Sequence, residues 1–170
     1  KKVENNALRG VYDEIKTLNN KITSNVIGRF SELFTIQIIQ KNFPKAKVED
    51  TNIGDRTSKE GDIYFEMDGV RCMLESKSTT GSTLKRTHIS HINRFINEFI
   101  EKVEENKVDF AIFVAPRCIT IPNRGFVCSE FIKTKVGNKL IFFVSDTFEH
   151  QERLIIAIET GMSIVKNFYV

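Results

Sequence analysis

Asp62, Glu75 and Lys77 are the residues of this chain whose types and spacing suit chemistry. Between them, Ile63-Tyr64-Phe65-Glu66-Met67 and Val70-Arg71-Cys72-Met73-Leu74 read as two strands around Asp68-Gly69. Asp-Gly between apolar, alternating runs is a strong hairpin signal. Such a hairpin brings Asp62, at the start of one strand, close to Glu75, at the end of the next. Side chains alternate along a strand, so Glu75 and Lys77 share a face. Two carboxylates and an ammonium at the open end of a hairpin suit a divalent cation and a water molecule beside a phosphate. Taken alone, Glu75-Ser76-Lys77 also fits an ordinary solvated strand end.

Glu32 is the next candidate. At about 100° per residue its helical face holds Gly28, Ile36 and Ile39. A carboxylate among apolar neighbours needs a partner, because a buried unpaired charge is costly. A metal ion would serve, and so would a salt bridge to Arg29 or another basic residue. After the hairpin, Ser78, Thr79, Thr80, Lys85 and Arg86 offer hydroxyls and charge suited to phosphates, or simply a solvated loop. His88 and His91 share a helical face but have no matching cysteine pair. Phosphate contact or plain surface therefore fits them better than zinc. Arg117 and Arg124 flank a polar segment and are further candidates for DNA contact. Asp109 reads as a turn residue.

The elements that must position these residues follow from periodicity. Leu8, Val11, Ile15, Leu18 and Ile22 form a short heptad seam, so residues 3–22 read as a helix. That helix is either the end of a coiled coil, giving a homo-oligomer, or an amphipathic helix packed on its own domain. We divide the chain there: 1–22 as an N-terminal helix and 23–170 as the main domain. A second helix is expected from a cap at Ser24 to Asn42, stopped by Pro44. A weak strand at 46–51 and a loop at 52–60 lead to the hairpin. A helix at 86–105 precedes a continuous apolar strand at 108–114, the expected centre of the sheet. Strands near 126–133 and 140–144 and a helix at 148–166 complete the chain. The expected fold is α/β, a mixed sheet of about five strands flanked by helices, with the site at one sheet edge.

Composition sets the outer limits. The 170 residues are 41% hydrophobic and 28% charged, which fits a globular domain with a real core. A net charge of +3 permits nucleic-acid binding without demanding it. Cys72, Cys118 and Cys128 form no close pair, and an odd count points to an intracellular, reducing compartment rather than a disulfide scaffold. No apolar run reaches the length of a membrane span and no signal peptide is visible, so no membrane partner is expected. The chain opens on Lys1 rather than Met, from which we expect a piece of a longer protein.

Gly61-Asp62 followed by Glu75-Ser76-Lys77 resembles the signature of the PD-(D/E)XK nuclease superfamily, with Gly61 in place of the proline. Ile27-Gly28-Arg29-Phe30-Ser31-Glu32 resembles the helix that carries an extra acidic ligand there. The order helix, hairpin, Glu-x-Lys, helix, strand resembles the restriction-endonuclease-like core over about residues 24–115. Within the superfamily, Ser58-Lys59-Glu60-Gly61-Asp62 is most similar to nuclease-like domains attached to coiled-coil proteins of phages, large DNA viruses and bacteria. The resemblance implies a metal-dependent nuclease hydrolysing phosphodiester bonds in DNA. It implies that Asp62 and Glu75 bind Mg²⁺ or Mn²⁺, with the Ser76 carbonyl completing the shell and Glu32 contacting the ion directly or through water. Lys77 would orient or deprotonate the attacking water. Ser78, Thr79, Lys85, Arg86 and His88 would meet the nucleic acid. A catalytically silent nuclease fold, serving as a binding or assembly module, and an RNA-directed nuclease are the alternatives.

Overall fold

A computed structural model describes residues 2–51, 63–77 and 89–168, and along the first helix the side chains of 8–18 and 26–42. Helix α1 runs from Lys2 to Asn42. It is one helix, not two: the expected break at Ser24 is absent. Ser24-Asn25 is compatible with a cap, but nothing there forbids a helix. Extending an existing helix costs less than nucleating a new one. The stop is where the sequence put it, with Pro44 two residues past the helix end.

Strands β1 (Lys47–Asp50), β2 (Ile63–Met67) and β3 (Val70–Ser76) form an antiparallel meander. Asp68 and Gly69 both take positive φ, 52° and 78°. Two positive φ values are what a two-residue turn between twisted strands requires, and Asp-Gly tolerates them. Helix α2 (Ile89–Glu104) then leads to β4 (Phe110–Ala115). A second hairpin, β5 (Val127–Thr134) with β6 (Gly137–Ser145), and helix α3 (Glu152–Phe168) follow.

The sheet has six strands in the order β1-β2-β3-β4-β6-β5. β3–β4 and β4–β6 pair in parallel, and the other pairs are antiparallel. The fold is therefore mixed α/β. The strand count is six rather than five, because the weak 46–51 segment pairs fully with β2. β4 is buried along its whole length, as its unbroken apolar run implied. Its side chains divide between two cores. Phe110, Ile112 and Val114 meet Ile38, Ile39, Leu154 and Ile158 on the α1 and α3 side. Ala111 and Phe113 meet Phe95, Phe99 and Ile92 on the α2 side. Complete burial of each such large side chain is worth about 1.5–3 kcal/mol.

The start of β4 is tied to β3 by charge. Arg71 donates to Asp109 through its backbone N–H (2.8 Å), Nε (3.2 Å) and Nη2 (3.1 Å), and the Asp109 N–H returns to the Arg71 carbonyl at 2.9 Å. Asp109 is thus a cross-strand clamp and not the turn residue expected. Its carboxylate raises the Arg71 guanidinium above its ordinary pKa, against a smaller opposing effect of burial. All three cysteines are free thiols, and burial pushes Cys72 well up. Among the described residues, no helix is long and apolar enough to cross a membrane.

Helix α3 reaches the sheet through Gly161. A methyl group there would stand 2.6 Å from Cδ2 and 2.9 Å from Cζ of Phe110, itself fully buried. On an open helix surface Gly→Ala stabilises by about 1 kcal/mol. Here overpacking costs about 1–3 kcal/mol. Gly161→Ala is therefore expected to lower stability in urea unfolding. A gain in stability would mean that the Phe110 ring yields freely.

Candidate functional site

Glu75 lies one residue before the end of β3. That strand is third of six, so the site is not at a sheet edge as expected but at the carboxyl end of an interior strand. The reason is that the hairpin's second strand pairs on its far side with β4. Alternation along β3 sends Leu74 and Ser76 to the α1 side, and Met73 and Glu75 to the α2 side. The Lys77 N–H donates to the Val114 carbonyl at 2.8 Å, so the parallel ladder continues past Ser76. Continued extended backbone keeps Glu75 and Lys77 on one face.

Glu75 is only 8% exposed. From α2, Arg94 Nη2 stands 3.9 Å from its Oε1. That is an ion pair at the outer limit and too long for a hydrogen bond. Arg94 divides its charge, with Nε 3.9 Å from Glu98 Oε1 and Nη2 3.5 Å from His91 Nδ1. Ser76 is buried against α1, where Thr35 Oγ1 lies 3.4 Å from its Oγ. The Thr35 hydroxyl proton goes to the Ser31 carbonyl at 2.8 Å, so in the longer contact Thr35 accepts and Ser76 donates.

Glu32 has the basic partner that its sequence context allowed. Arg29 Nη1 reaches Glu32 Oε2 at 2.9 Å, and Arg29 Nη2 reaches Asp50 Oδ2 at 2.8 Å. The two carboxylates, Asp50 first, raise the Arg29 pKa above its ordinary value, and burial opposes them. This bridge ties α1 to the end of β1. Glu32 belongs to the helix on one face of the sheet, whereas Glu75 faces α2 on the other. The structure thus gives Glu32 a cation, Arg29, on the α1 side.

Asp62 lies outside the described residues, as do Ser78, Thr79, Thr80, Lys85, Arg86 and His88. Among the described residues no three His, Cys, Asp or Glu side chains form a group that could hold a metal ion. Glu75 supplies a hard oxygen donor suited to Mg²⁺ or Mn²⁺. Arg124 pairs with Glu130 at 3.0 Å and lies 4.0 Å over the Phe143 ring. The sequence reading missed Arg94 and Asp50. Arg94 is an ordinary polar position of an amphipathic helix until the crossover sets it beside Glu75. Asp50 ends a weak strand, and its place becomes legible only once β1 pairs with β2, with Asp50 opposite Ile63.

The Arg29 bridge is partly exposed at 41% of its side chain, so solvent screens it. A double-mutant cycle of Arg29→Met with Asp50→Asn should return a coupling of about 0.5–1 kcal/mol, smaller in 1 M salt. Zero coupling at low salt would leave α1 held by apolar packing alone.

No protein-family model and no curated protein matches this chain. Among solved structures the chain is similar to SfsA of Pyrococcus furiosus in complex with Ca²⁺, at 16% identity and a TM-score of 0.31. The match covers 75% of this chain and 51% of that one, so it spans about half of that protein's length. A likeness this slight carries no argument about fold or function here.

Proposed function

We propose that this chain is a metal-dependent nuclease that hydrolyses phosphodiester bonds in DNA, within a PD-(D/E)XK-like core. One observation carries the reading. A nearly buried carboxylate, Glu75, stands at the carboxyl end of an interior strand, and a backbone bond from Lys77 to Val114 follows it. Asp62 supports it through chain connectivity. It is bonded to Ile63, and Ile63 is paired with Leu74, the neighbour of Glu75. Asp62 itself lies outside the described residues. Asp62, Glu75 and the Ser76 carbonyl are then the oxygen donors proposed for Mg²⁺ or Mn²⁺. When bound, such an ion polarises a phosphoryl oxygen and lowers the pKa of water.

The chain's own groups would do the rest. Lys77 orients the attacking water and offsets charge gathering on the phosphate. Arg94 neutralises Glu75 in the resting protein and can turn to a phosphate when the carboxylate is otherwise engaged. Glu32, bridged to Asp50 by Arg29, is proposed to contact the ion directly or through water. Ser78, Thr79, Lys85, Arg86 and His88 are proposed to meet the nucleic-acid backbone.

Arg94 also favours a second reading. A cation already near Glu75 suits a silent module that binds nucleic acid without cutting it.

Mn²⁺ calorimetry beside plasmid-nicking and structured-RNA assays separates the readings. Glu75→Ala is expected to abolish both metal binding and cleavage. Lys77→Ala should keep metal binding and lose about 10²–10⁴-fold in rate, the usual weight of a proton-transfer group. Lys77→Ala cutting at the parent rate would sink the nuclease assignment. A parent that binds Mn²⁺ but cuts neither substrate would establish the silent module, and cleavage of RNA alone would redirect the substrate.

A further inference from the structure

We infer that the outward face of α1 is where two copies of this chain meet. Leu8, Val11, Ile15 and Leu18 are 68%, 55%, 52% and 59% exposed. Their spacing of 3, 4 and 3 is that of alternating a and d positions in a two-helix seam. The stripe does not stop at the N-terminal half. Val26, Phe30 and Leu33 continue it at 62%, 58% and 48% exposure. At about 100° per residue all seven lie within one arc of roughly 120°.

The opposite side of the same helix is the one that binds the sheet. Ser31, Thr35, Ile38 and Ile39 are almost fully buried, and they centre on the arc facing away from the stripe. The stripe is exposed at the described positions from Leu8 to Leu18 and at Val26, Phe30 and Leu33; at its C-terminal end the domain begins to cover it, with Phe30 edge-on to Phe148 at 5.8 Å and Ile36 only 9% exposed.

Three observations make a second copy the occupant. The seam is self-complementary, because a and d positions of one helix fill the spaces between those of an identical one. It is large enough. With the adjacent Tyr12, 66% exposed, the stripe opens on the order of 800 Å² per copy, the area that one partner of a standard interface buries. It is also open, since Leu8, Val11, Ile15 and Leu18 are each more than half exposed. An isolated helix in water has little stability of its own, so pairing would also stabilise the projecting half of α1. The inference is independent of the chemistry at Glu75.

Sedimentation equilibrium of the full chain at tens of micromolar tests it. The expected result is twice the chain mass. Ile15→Glu should weaken the dimer at least tenfold, and so should the pair Val26→Lys with Leu33→Lys. These side chains are exposed, so the thermal transition of the domain is expected to persist in both variants and reports on folding separately. A monomeric parent, a higher oligomer, or a dimer indifferent to both variants overturns the proposal. A dimer broken by Ile15→Glu but not by the lysine pair overturns the extension of the seam to Leu33.

Discussion

The parallel pairing of β3 with β4 is the constraint on which the rest of the structure depends. It joins the N-terminal meander to the C-terminal hairpin, and both strands are covered on both faces. A slip of one residue would exchange every side chain of β4 between the two cores. The slip is blocked at both ends. Arg71 and Asp109 lock the start of the pair through a bidentate charged contact, and the Lys77 N–H to Val114 bond closes the other end. Between these points Cys72, Leu74 and Glu75 meet Phe110, Ile112 and Phe113 in fixed register. The position of Glu75 is a consequence of that lock.

Two cores follow from the central strand's alternation, and both hold phenylalanines in ring contact. On the α2 side Phe95 is 5.6 Å from Phe113 and Phe143 6.0 Å beyond, and on the other Phe110 is 6.3 Å from Phe65 and 6.5 Å from Phe142. The other side gathers aliphatic residues of α1 and α3 and admits Gly161 where the helix comes closest to Phe110. α1 adds an aromatic corner at the end of β6, where Phe34 meets Phe148 edge-on at 4.7 Å. These contacts hold only the C-terminal half of α1. Of the remainder, the described side chains 8–18 are all exposed.

Charge at the carboxyl end of the sheet is partitioned by face. On the α1 side Arg29 binds Glu32 and Asp50 at hydrogen-bond distance. On the α2 side Arg94 stays at 3.9 Å from Glu75. The first arrangement is a satisfied structural bridge, in which each carboxylate has a close cation. The second holds a nearly buried carboxylate beside a cation shared with Glu98 and His91. The chemistry proposed for the chain centres on Glu75, nearly buried at the end of an interior strand.

Local signals in the sequence determined much of this protein. Asp68-Gly69 dictated a turn because few residue pairs tolerate two positive φ values. The alternating runs on either side fixed both strands, and the unbroken apolar run Phe110–Ala115 marked the central strand. Pro44 ended α1, and Ile92, Phe95, Phe99 and Val103 defined the buried side of α2. Tertiary structure decided what depended on partners distant in sequence. It merged two expected helices into one, since a cap at Ser24 competes with helix propagation and only the whole chain settles the balance. It turned Asp109 into a clamp, moved Glu75 from an expected edge to an interior strand, and brought Arg94 beside it. Periodicity reports which face of an element is apolar, but not which element covers it. Pairing order and crossovers answer that, because they set which faces meet.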